Sequence, residues 1–207
     1  MEAAWLSNNA FSKKRVSINH VFEAALELQR FCESQQYRFC FIGALAVQRW
    51  GDPRATQDAD LTLVTGFGGE EIFISALTKQ FRPRRPDTVE FALRNRVLLL
   101  FATNDVPMDV ALGGLPFEER TVQRASSWQI KPGMKITTCS AEDLIVHKAF
   151  ANRGQDWPDI ERVLIRQGKG LNINLIFEEL RPLLELKGEP ETEERLRQMI
   201  TKETASE

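Results

Sequence analysis

Two acidic residues lie one alanine apart at the start of a short apolar run. Asp58 and Asp60 lead into residues 61–64 (Leu-Thr-Leu-Val), a segment typical of a β-strand. Side chains alternate along an extended chain, so both carboxylates face one side, with Cα atoms roughly 6.6 Å apart. Like charges on one face repel each other. The pair therefore predicts either a bound metal ion or one carboxylate that stays protonated.

A third acidic residue lies inside a later apolar segment. Asp109 is the charged residue of residues 106–112 (VPMDVAL), which otherwise predict a buried strand. A buried carboxylate without a partner is unfavourable, so Asp109 is expected at a strand end or beside a partner. If this strand lies beside the strand of Asp60, three carboxylates converge. Such an oxygen-rich site suits Mg²⁺, and two ions about 3.5–4 Å apart can assist phosphoryl displacement.

A glycine-centred turn precedes these acids. Residues 39–42 (Phe-Cys-Phe-Ile) predict a buried strand and residues 44–50 predict a short helix, with Gly43 between them. Taken alone, Gly43 favours a tight turn with a purely structural role. Taken with the acids, it predicts a turn whose backbone N–H groups can bind phosphate.

A lysine on a downstream helix is a further candidate. Residues 141–153 have helical periodicity, and Ser140 with Asp143 predicts a capping box at the helix start. Lys148 follows Leu144 by one turn and so lies on or beside the apolar stripe, an uncommon place for lysine. This position favours an active-site role over the alternative of a solvated lysine.

Two further charged groups have ordinary structural explanations. Asp156 and Asp159, with Pro158 between them, are typical of the first turn of a helix. The three arginines of residues 82–85 lie beside two prolines and indicate a solvated loop. A contact with phosphate or RNA is the alternative for these arginines.

The remaining pattern predicts a mixed sheet with helices. A β-hairpin is predicted from residues 89–93 and 97–102, and the strand-rich first part precedes a helical second part. This organisation indicates the α+β or α/β class. The predicted boundary near Pro132-Gly133 divides the chain into residues 1–132 and residues 133–207. Further helices are predicted over residues 17–32, 70–81, 116–124, 157–167, 174–186 and 191–202.

The order of these residues resembles the DNA polymerase β-type nucleotidyltransferase superfamily, and within it the AbiEii-like and MenT-like toxin nucleotidyltransferases. Those proteins carry a Gly-Gly or Gly-Ser turn, an Arg-x-Thr-x-Asp-x-Asp run, a strand aspartate, and a lysine followed by Asp-x-x-Asp. Residues 54–60 (RATQDAD) match the second element in full. Asp109, Lys148 and residues 156–159 (DWPD) match the later elements, and the resemblance covers residues 39–161.

The resemblance implies a polymerase β-like nucleotidyltransferase fold, with helices flanking a mixed sheet and a helical C-terminal part on the core. It also implies transfer of a nucleotidyl group from an NTP to a hydroxyl of tRNA, protein or a small molecule, in a toxin–antitoxin setting with a cognate partner protein. Asp58, Asp60 and Asp109 would hold Mg²⁺ or Mn²⁺ and, with Lys148, would act in catalysis. The implied NTP-binding residues are Gly43, Ala44, Arg54, Thr56, Lys148 and Asp159.

The turn departs from the family pattern at one position. The family has a second Gly or Ser that cradles the triphosphate, and here this position is Ala44. Alanine keeps its backbone N–H, so an N–H cradle remains available. Ala44 nonetheless favours one alternative, a non-catalytic nucleotide-binding or partner-binding module of the same fold. A metal-dependent phosphohydrolase is the other alternative, because the carboxylates alone would permit it.

Composition restricts the expected partners and location. The net charge of −2 provides no overall basic field for duplex DNA. The three cysteines have no metal-ligand spacing and the two histidines have no nearby Cys or His, so a zinc site is not expected. Residues 1–16 lack an apolar core of signal-peptide length, and no run is long enough to span a membrane. We therefore expect a cytoplasmic protein that acts without a membrane.

Overall fold

The computed structural model describes residues 17–204, and in these residues seven strands form one mixed sheet. The strands are β1 (Phe39–Phe41), β2 (Ala59–Val64), β3 (Arg82–Pro83), β4 (Val97–Phe101), β5 (Pro107–Gly113), β6 (Ser126–Lys131) and β7 (Met134–Thr138). Their order across the sheet is β3-β4-β5-β2-β1-β7-β6. β2 runs parallel to β5 and β1 runs parallel to β7, whereas the other pairs are antiparallel.

Helices connect these strands and make up the C-terminal part. Those described are α1 (Ile18–Ser34), α2 (Gly43–Trp50), α3 (Glu70–Gln80), α4 (Thr88–Asn95), α5 (Pro116–Arg124), α6 (Ala141–Ala151), α7 (Asp156–Gln167), α8 (Ile173–Lys187) and α9 (Glu191–Thr204). All the helices predicted from periodicity are present within a few residues of their expected bounds. None of the helices in residues 17–204 is long and apolar enough to cross a membrane. Residues 1–16, on which the expectation of no signal peptide rests, lie outside the described residues.

The predicted hairpin over residues 89–102 is wrong, because its first half is the helix α4. Thr88 and Ala92 are the buried residues of α4, whereas Glu90 between them is exposed. A buried strand face would include all three positions, so this pattern is helical. The helix ends at Arg96, whose φ of 53° is left-handed. The second half of the predicted hairpin is β4, which pairs with β5 and β3 instead.

A hairpin of β6 and β7 was not expected from the sequence. β6 is exposed along most of its length, so it lacks the apolar run that identifies a buried strand. Its register with β7 runs from Ser126 opposite Thr138 to Lys131 opposite Met134. The turn of this hairpin contains Pro132 and Gly133, and Gly133 has a φ of 78°. The division into residues 1–132 and 133–207 stays a prediction, while the sheet itself continues across that position.

The two faces of the sheet bury separate apolar clusters. Phe39 and Phe41 of β1 contribute to a cluster with α1 and α3, whereas Cys40 between them contributes to a cluster with α6, α7 and α8. This alternation is the two-residue period of a strand that is covered on both faces. The second cluster fixes the C-terminal helices against the same side of the sheet as Asp60, because Asp60 alternates with Ala59 and Leu61 of the first cluster.

A network of ion pairs fastens the C-terminal helices to α5. Arg124 at the end of α5 donates to Asp143 of α6 at 2.6 Å and to Glu179 of α8 at 2.9 Å. Arg120, one turn earlier, donates to Glu179 at 2.6 Å. Both carboxylates are buried, so their charges require these partners. The position of α6, which carries Lys148, therefore depends on this network as well as on apolar contacts.

Replacing Arg124 by glutamine should lower the free energy of unfolding by about 2 kcal/mol, because Asp143 and Glu179 lose a charged partner while buried. The value is below that of a fully buried pair because Arg124 is partly exposed. Urea denaturation measures the change. Arg82→Gln is the matched control, since Arg82 and its partner Asp105 are both exposed and should contribute under about 1 kcal/mol. Equal effects of the two substitutions would contradict a stabilising network.

Candidate active site

The predicted convergence of carboxylates rests on the pairing of β2 with β5. These strands are parallel neighbours, and Asp60 lies directly opposite Asp109 in their register. Register partners on adjacent strands face the same side of the sheet and lie about 5 Å apart between Cα atoms. Asp58 immediately precedes β2 and lines the same cleft as Asp60 and Asp109. The condition that the sequence left open is met, since the strand of Asp109 is adjacent to the strand of Asp60.

Gly43 brings the N-terminus of α2 against this group of acids. Its φ of 57° is left-handed, and a Cβ atom at this position would lie 2.1 Å from Oδ2 of Asp60. Glycine is therefore required both for the backbone conformation and for the close approach. The backbone N–H of Ala44 donates a hydrogen bond to the Asp60 carboxylate. The residue before the helix, Ile42, provides no side-chain cap, so the first turn of α2 offers N–H groups to an anion.

The crowding of carboxylates changes the proton affinity of Asp60. Burial is the largest cause that raises the pKa of Asp60, from 3.8 to about 7, and the charges of Asp58 and Asp109 raise it further. The N–H of Ala44 and the ammonium of Lys148 act in the opposite direction but do not outweigh these effects. A pKa of about 7 means that Asp60 exchanges a proton near neutral pH, and a cation bound at the acid pair would favour its charged form.

The three carboxylates are close but each has its own partner. Asp58 accepts a hydrogen bond from the hydroxyl of Thr56 at 2.8 Å, and Asp109 forms an ion pair with Arg84. Burial raises the pKa of Asp109, and Arg84 opposes that rise. Within residues 17–204, no three His, Cys, Asp or Glu side chains are gathered closely enough to hold a metal ion. The oxygen donors fit Mg²⁺ or Mn²⁺ in type, and a cation that approaches Asp109 would meet the positive charge of Arg84.

Lys148 is neither solvated nor free. Its Nζ lies 3.0 Å from Oδ1 of Asp156 and 2.7 Å from Oδ2 of Asp159, and the three side chains are at most 7% exposed. Asp159 also accepts two hydrogen bonds of 2.9 Å from Arg54. Burial alone would raise the pKa of Asp159, but the hydrogen bonds from Arg54 and Lys148 lower it. Asp159 thus holds the positively charged side chains of Arg54 and Lys148 side by side at the edge of the cleft.

The prediction that Asp156 and Asp159 belong to the first turn of a helix is confirmed, because α7 begins at Asp156. The same two residues also form ion pairs with Lys148, and their role in nucleotide binding stays a prediction. Asp159 itself is 1% exposed and lies behind Arg54 and Lys148, outside the lining of the cleft. Its contact with a nucleotide would therefore be indirect.

The cleft has a volume of about 670 Å³ and unites most of the predicted residues. Its lining includes the turn Gly43-Ala44 and, from the other predicted positions, Arg54, Thr56, Asp58, Asp60, Asp109 and Lys148. Val97 and Ala111 form part of its floor, where β4 and β5 pair. Arg153 and Gln155 lie at the rim, between α6 and α7.

Comparison with known proteins agrees with this geometry. The sequence model of the family described as "Nucleotidyl transferase AbiEii toxin, Type IV TA system" matches residues 28–206. The chain belongs to this family. The family resemblance that the motif order predicts is therefore confirmed, and the matched residues include every site residue discussed above. A comparison with curated proteins found no match.

Two solved structures show that this AbiEii-family chain shares its fold with nucleotidyltransferases. The antibiotic-resistance factor ANT(2'')-Ia is 10% identical, with a TM-score of 0.55 over 86% of this chain and 98% of that chain. An antigenic nucleotidyltransferase-like protein from Paracoccidioides brasiliensis is 15% identical, with a TM-score of 0.50 over 90% and 94% of the two chains. At such identities the likeness concerns the fold, and it confirms the predicted α+β nucleotidyltransferase fold.

The sequence did not identify Arg153 of this AbiEii-family protein as a cleft residue, nor Arg84 as the partner of Asp109. Arg84 was placed with its neighbours in a solvated loop, whereas its guanidinium contacts Asp109. Arg84 directly follows the strand β3, which has two residues and is too short to show the alternation of polar and apolar residues that identifies a strand. Arg153 follows Lys148 by five positions and emerges from the end of α6 beside the cleft. Only the position of α6, known from tertiary packing, brings it there.

Replacing Asp60 by asparagine should stabilise the metal-free protein more at pH 8 than at pH 4.5. The folded-state pKa of about 7 exceeds the unfolded value near 3.8, so the folded state retains a proton that the unfolded chain has lost. Stability from Asp60 therefore falls as pH rises between these values and is lowest above pH 7. Asparagine removes the charge and still accepts the hydrogen bond from Ala44. The gain should differ by at least about 1 kcal/mol between the two pH values.

The measurement is urea denaturation in the presence of a chelator at both pH values. Asp52→Asn is the control, since Asp52 is an exposed carboxylate outside the cleft. A gain of equal size at pH 4.5 and pH 8 would show that the carboxylate of Asp60 is not under electrostatic strain.

Proposed function

We propose that this protein is a metal-dependent nucleotidyltransferase, which transfers a nucleotidyl group from an NTP to a hydroxyl of an acceptor. The acceptor is a tRNA, a protein or a small molecule, and the setting is that of a toxin with a cognate partner protein. Membership of the AbiEii nucleotidyl transferase family supports this reaction class. The observation that carries the proposal is the register of β2 and β5, which sets Asp60 beside Asp109 and in front of the turn at Gly43.

The polyphosphate binds where positive charge and N–H groups face the cleft. The first turn of α2 presents backbone donors, and Lys148 lies among the lining residues with Arg54 beside it. Both cations are fixed through Asp159, so they do not have to be ordered when the nucleotide binds. Their role is to neutralise negative charge on the phosphates, especially the charge that develops on the leaving pyrophosphate.

The acceptor hydroxyl approaches from the side of Asp109. Its oxygen forms a bond to the α-phosphorus, the bond from that phosphorus to the bridging oxygen of the β-phosphate breaks, and pyrophosphate leaves. Asp109 accepts the hydroxyl proton, a task that its raised pKa favours. Asp58, Asp60 and Asp109 would hold Mg²⁺ or Mn²⁺, which supplies charge neutralisation at the phosphates when bound.

Two labels on the nucleotide distinguish the possible reactions. The protein is incubated with each NTP, labelled at either the α- or the γ-phosphate, with Mg²⁺ and a whole-cell extract, and RNA and protein are then separated on gels. Nucleotidyl transfer attaches the α-label to an acceptor and releases the γ-label as pyrophosphate. Conversion of the α-labelled NTP to a free nucleoside monophosphate, without labelling of any acceptor, would instead indicate the phosphohydrolase. Nucleotide binding without release of either label would indicate the non-catalytic module.

Asp109→Asn should lower the rate of transfer by about 10²–10⁴-fold while nucleotide binding changes far less, because a proton acceptor is lost from the reacting side of the cleft. The rate is measured with the α-labelled NTP, and binding is measured by calorimetry. Asp105→Asn is the matched control, since Asp105 is an exposed acid in the turn before β5. If Asp109→Asn transfers label at the wild-type rate, Asp109 has only a structural role.

Lys148→Ala should weaken NTP binding by at least about 10-fold, and weaken AMP binding less, because AMP lacks most of the phosphate charge. Lys148→Arg should restore binding in part, since a planar fork does not reproduce a compact ammonium. The loss of a partner for two buried aspartates should also reduce stability, so binding is measured well below the midpoint of unfolding. Lys135→Ala, at an exposed lysine of β7, is the control. Reduced stability with unchanged NTP and AMP affinities would make Lys148 purely structural.

A further inference from the structure

One row of residues crosses three strands, and reaches the residue after a fourth, on the face of the sheet that forms the cleft. Asp60 of β2 pairs with Asp109 of β5, and Asp109 pairs with Leu99 of β4. The backbone N–H of Arg84 donates to the carbonyl of Leu99 at 3.0 Å, which places Arg84 next in the same row, just after β3. Register partners face the same side of a sheet. Arg84 therefore shares the face of Asp60 and Asp109.

The guanidinium of Arg84 reaches across Leu99 to Asp109. Its Nη1 donates to Oδ1 of Asp109, and its central carbon lies 5.8 Å from the centre of the Phe101 ring. The two charged side chains are 28% and 32% exposed, so water screens the pair only in part. The pairing is specific to this arginine. The neighbouring Arg82, which also lies over Phe101, pairs with the exposed Asp105 outside the cleft.

We propose that Arg84 is a positioning residue that competes with a divalent cation for Asp109. The inference rests on the proposed function only in taking Asp58, Asp60 and Asp109 as the cation ligands. The guanidinium of Arg84 holds Oδ1 of Asp109, and its positive charge repels a divalent cation that approaches the same carboxylate, so the two cations compete for it even though Oδ2 is a second acceptor. The first cation is therefore held at Asp58 and Asp60, and Asp109 becomes a ligand only after Arg84 withdraws.

Because of this competition, the nucleotide can bind before Asp109 becomes available as a cation ligand. An NTP with one cation can bind beside the turn at Gly43 while Asp109 stays paired with Arg84. The second cation position and the proton acceptor become available together, since both depend on the same carboxylate. Arg84 thus opposes turnover of a bound nucleotide before an acceptor has displaced it from Asp109.

Binding of Mn²⁺ tests this competition without any measurement of turnover. The loss of the free-ion signal in electron paramagnetic resonance is followed with an NTP analogue whose α–β bridge is a methylene group. Arg84→Gln should tighten the weaker class of Mn²⁺ sites by at least about 10-fold, because Asp109 is released. In the Asp109→Asn background the same substitution should have no effect. Arg84→Lys should lie between Arg84→Gln and the wild type, and Arg82→Gln should match the wild type.

The outcomes separate this inference from the proposed function. If the wild type binds Mn²⁺ and Arg84→Gln leaves that affinity unchanged or lowers it, the proposed competition is wrong, while the proposed cation site remains. Equal tightening in the presence and absence of the Asp109 carboxylate also overturns it, since the effect would then be a general change of charge. No Mn²⁺ binding by any of the variants overturns both the inference and the metal-dependent function.

Discussion

The site depends on one electrostatic constraint, the placement of Asp60 and Asp109 opposite each other on parallel strands. Backbone hydrogen bonds between β2 and β5 fix this register along six residue pairs, so the two carboxylates cannot move apart without breaking the sheet. Asp58 adds a third negative group at the start of β2. Positive charge, hydrogen-bond donors or a bound proton must therefore offset these negative charges. The neighbouring helices and strands supply such groups.

Each source comes from a different part of the chain. The N-terminus of α2 contributes the Ala44 N–H, α6 contributes Lys148, and the edge of the sheet contributes Arg84. Asp60 nevertheless has a pKa of about 7, because its burial and the charges of Asp58 and Asp109 together outweigh the groups that lower its pKa. A carboxylate site left with this excess of negative charge is one that gains from binding a cation. The Arg124 network and the apolar contacts of α6 together place Lys148 beside this group.

The sequence was sufficient where a local rule determines the outcome. The two-residue period of a strand places Asp60 and Asp109 on polar faces of apolar strands, and helical periods located the helices that carry Gly43 and Lys148. The order of the motifs then identified the fold. It did not determine the partner of each charge. The contact of Arg84 with Asp109 requires strands β3 and β5 to be two positions apart in the sheet, and no local pattern encodes that order.

Errors in the predicted elements have the same origin. Residues 88–95 contain Val89 and Leu93, which suit a strand by composition, but these two side chains are exposed and only Thr88 and Ala92 are buried. β6 lacks an apolar run because it is the edge strand of the sheet and none of its residues is buried. β7 lies between β1 and β6 and buries only Ile136 and Thr138. In both segments the local preference for helix or strand is weak, so the secondary structure is determined by which side chains tertiary packing buries.

The departure of the turn from the family pattern can be weighed by the same geometry. A Gly43 side chain is impossible without displacing Asp60, because its Cβ would overlap the carboxylate. Position 44 has no such restriction, since its contribution to Asp60 is a backbone N–H, which alanine provides as well as glycine or serine. The chemistry that the turn can supply therefore lies in the backbone N–H groups of α2 and in Gly43, which lets them approach Asp60. Compared with a serine, Ala44 lacks a hydroxyl donor in the cleft. The strict steric requirement is at position 43, and this chain meets it with glycine.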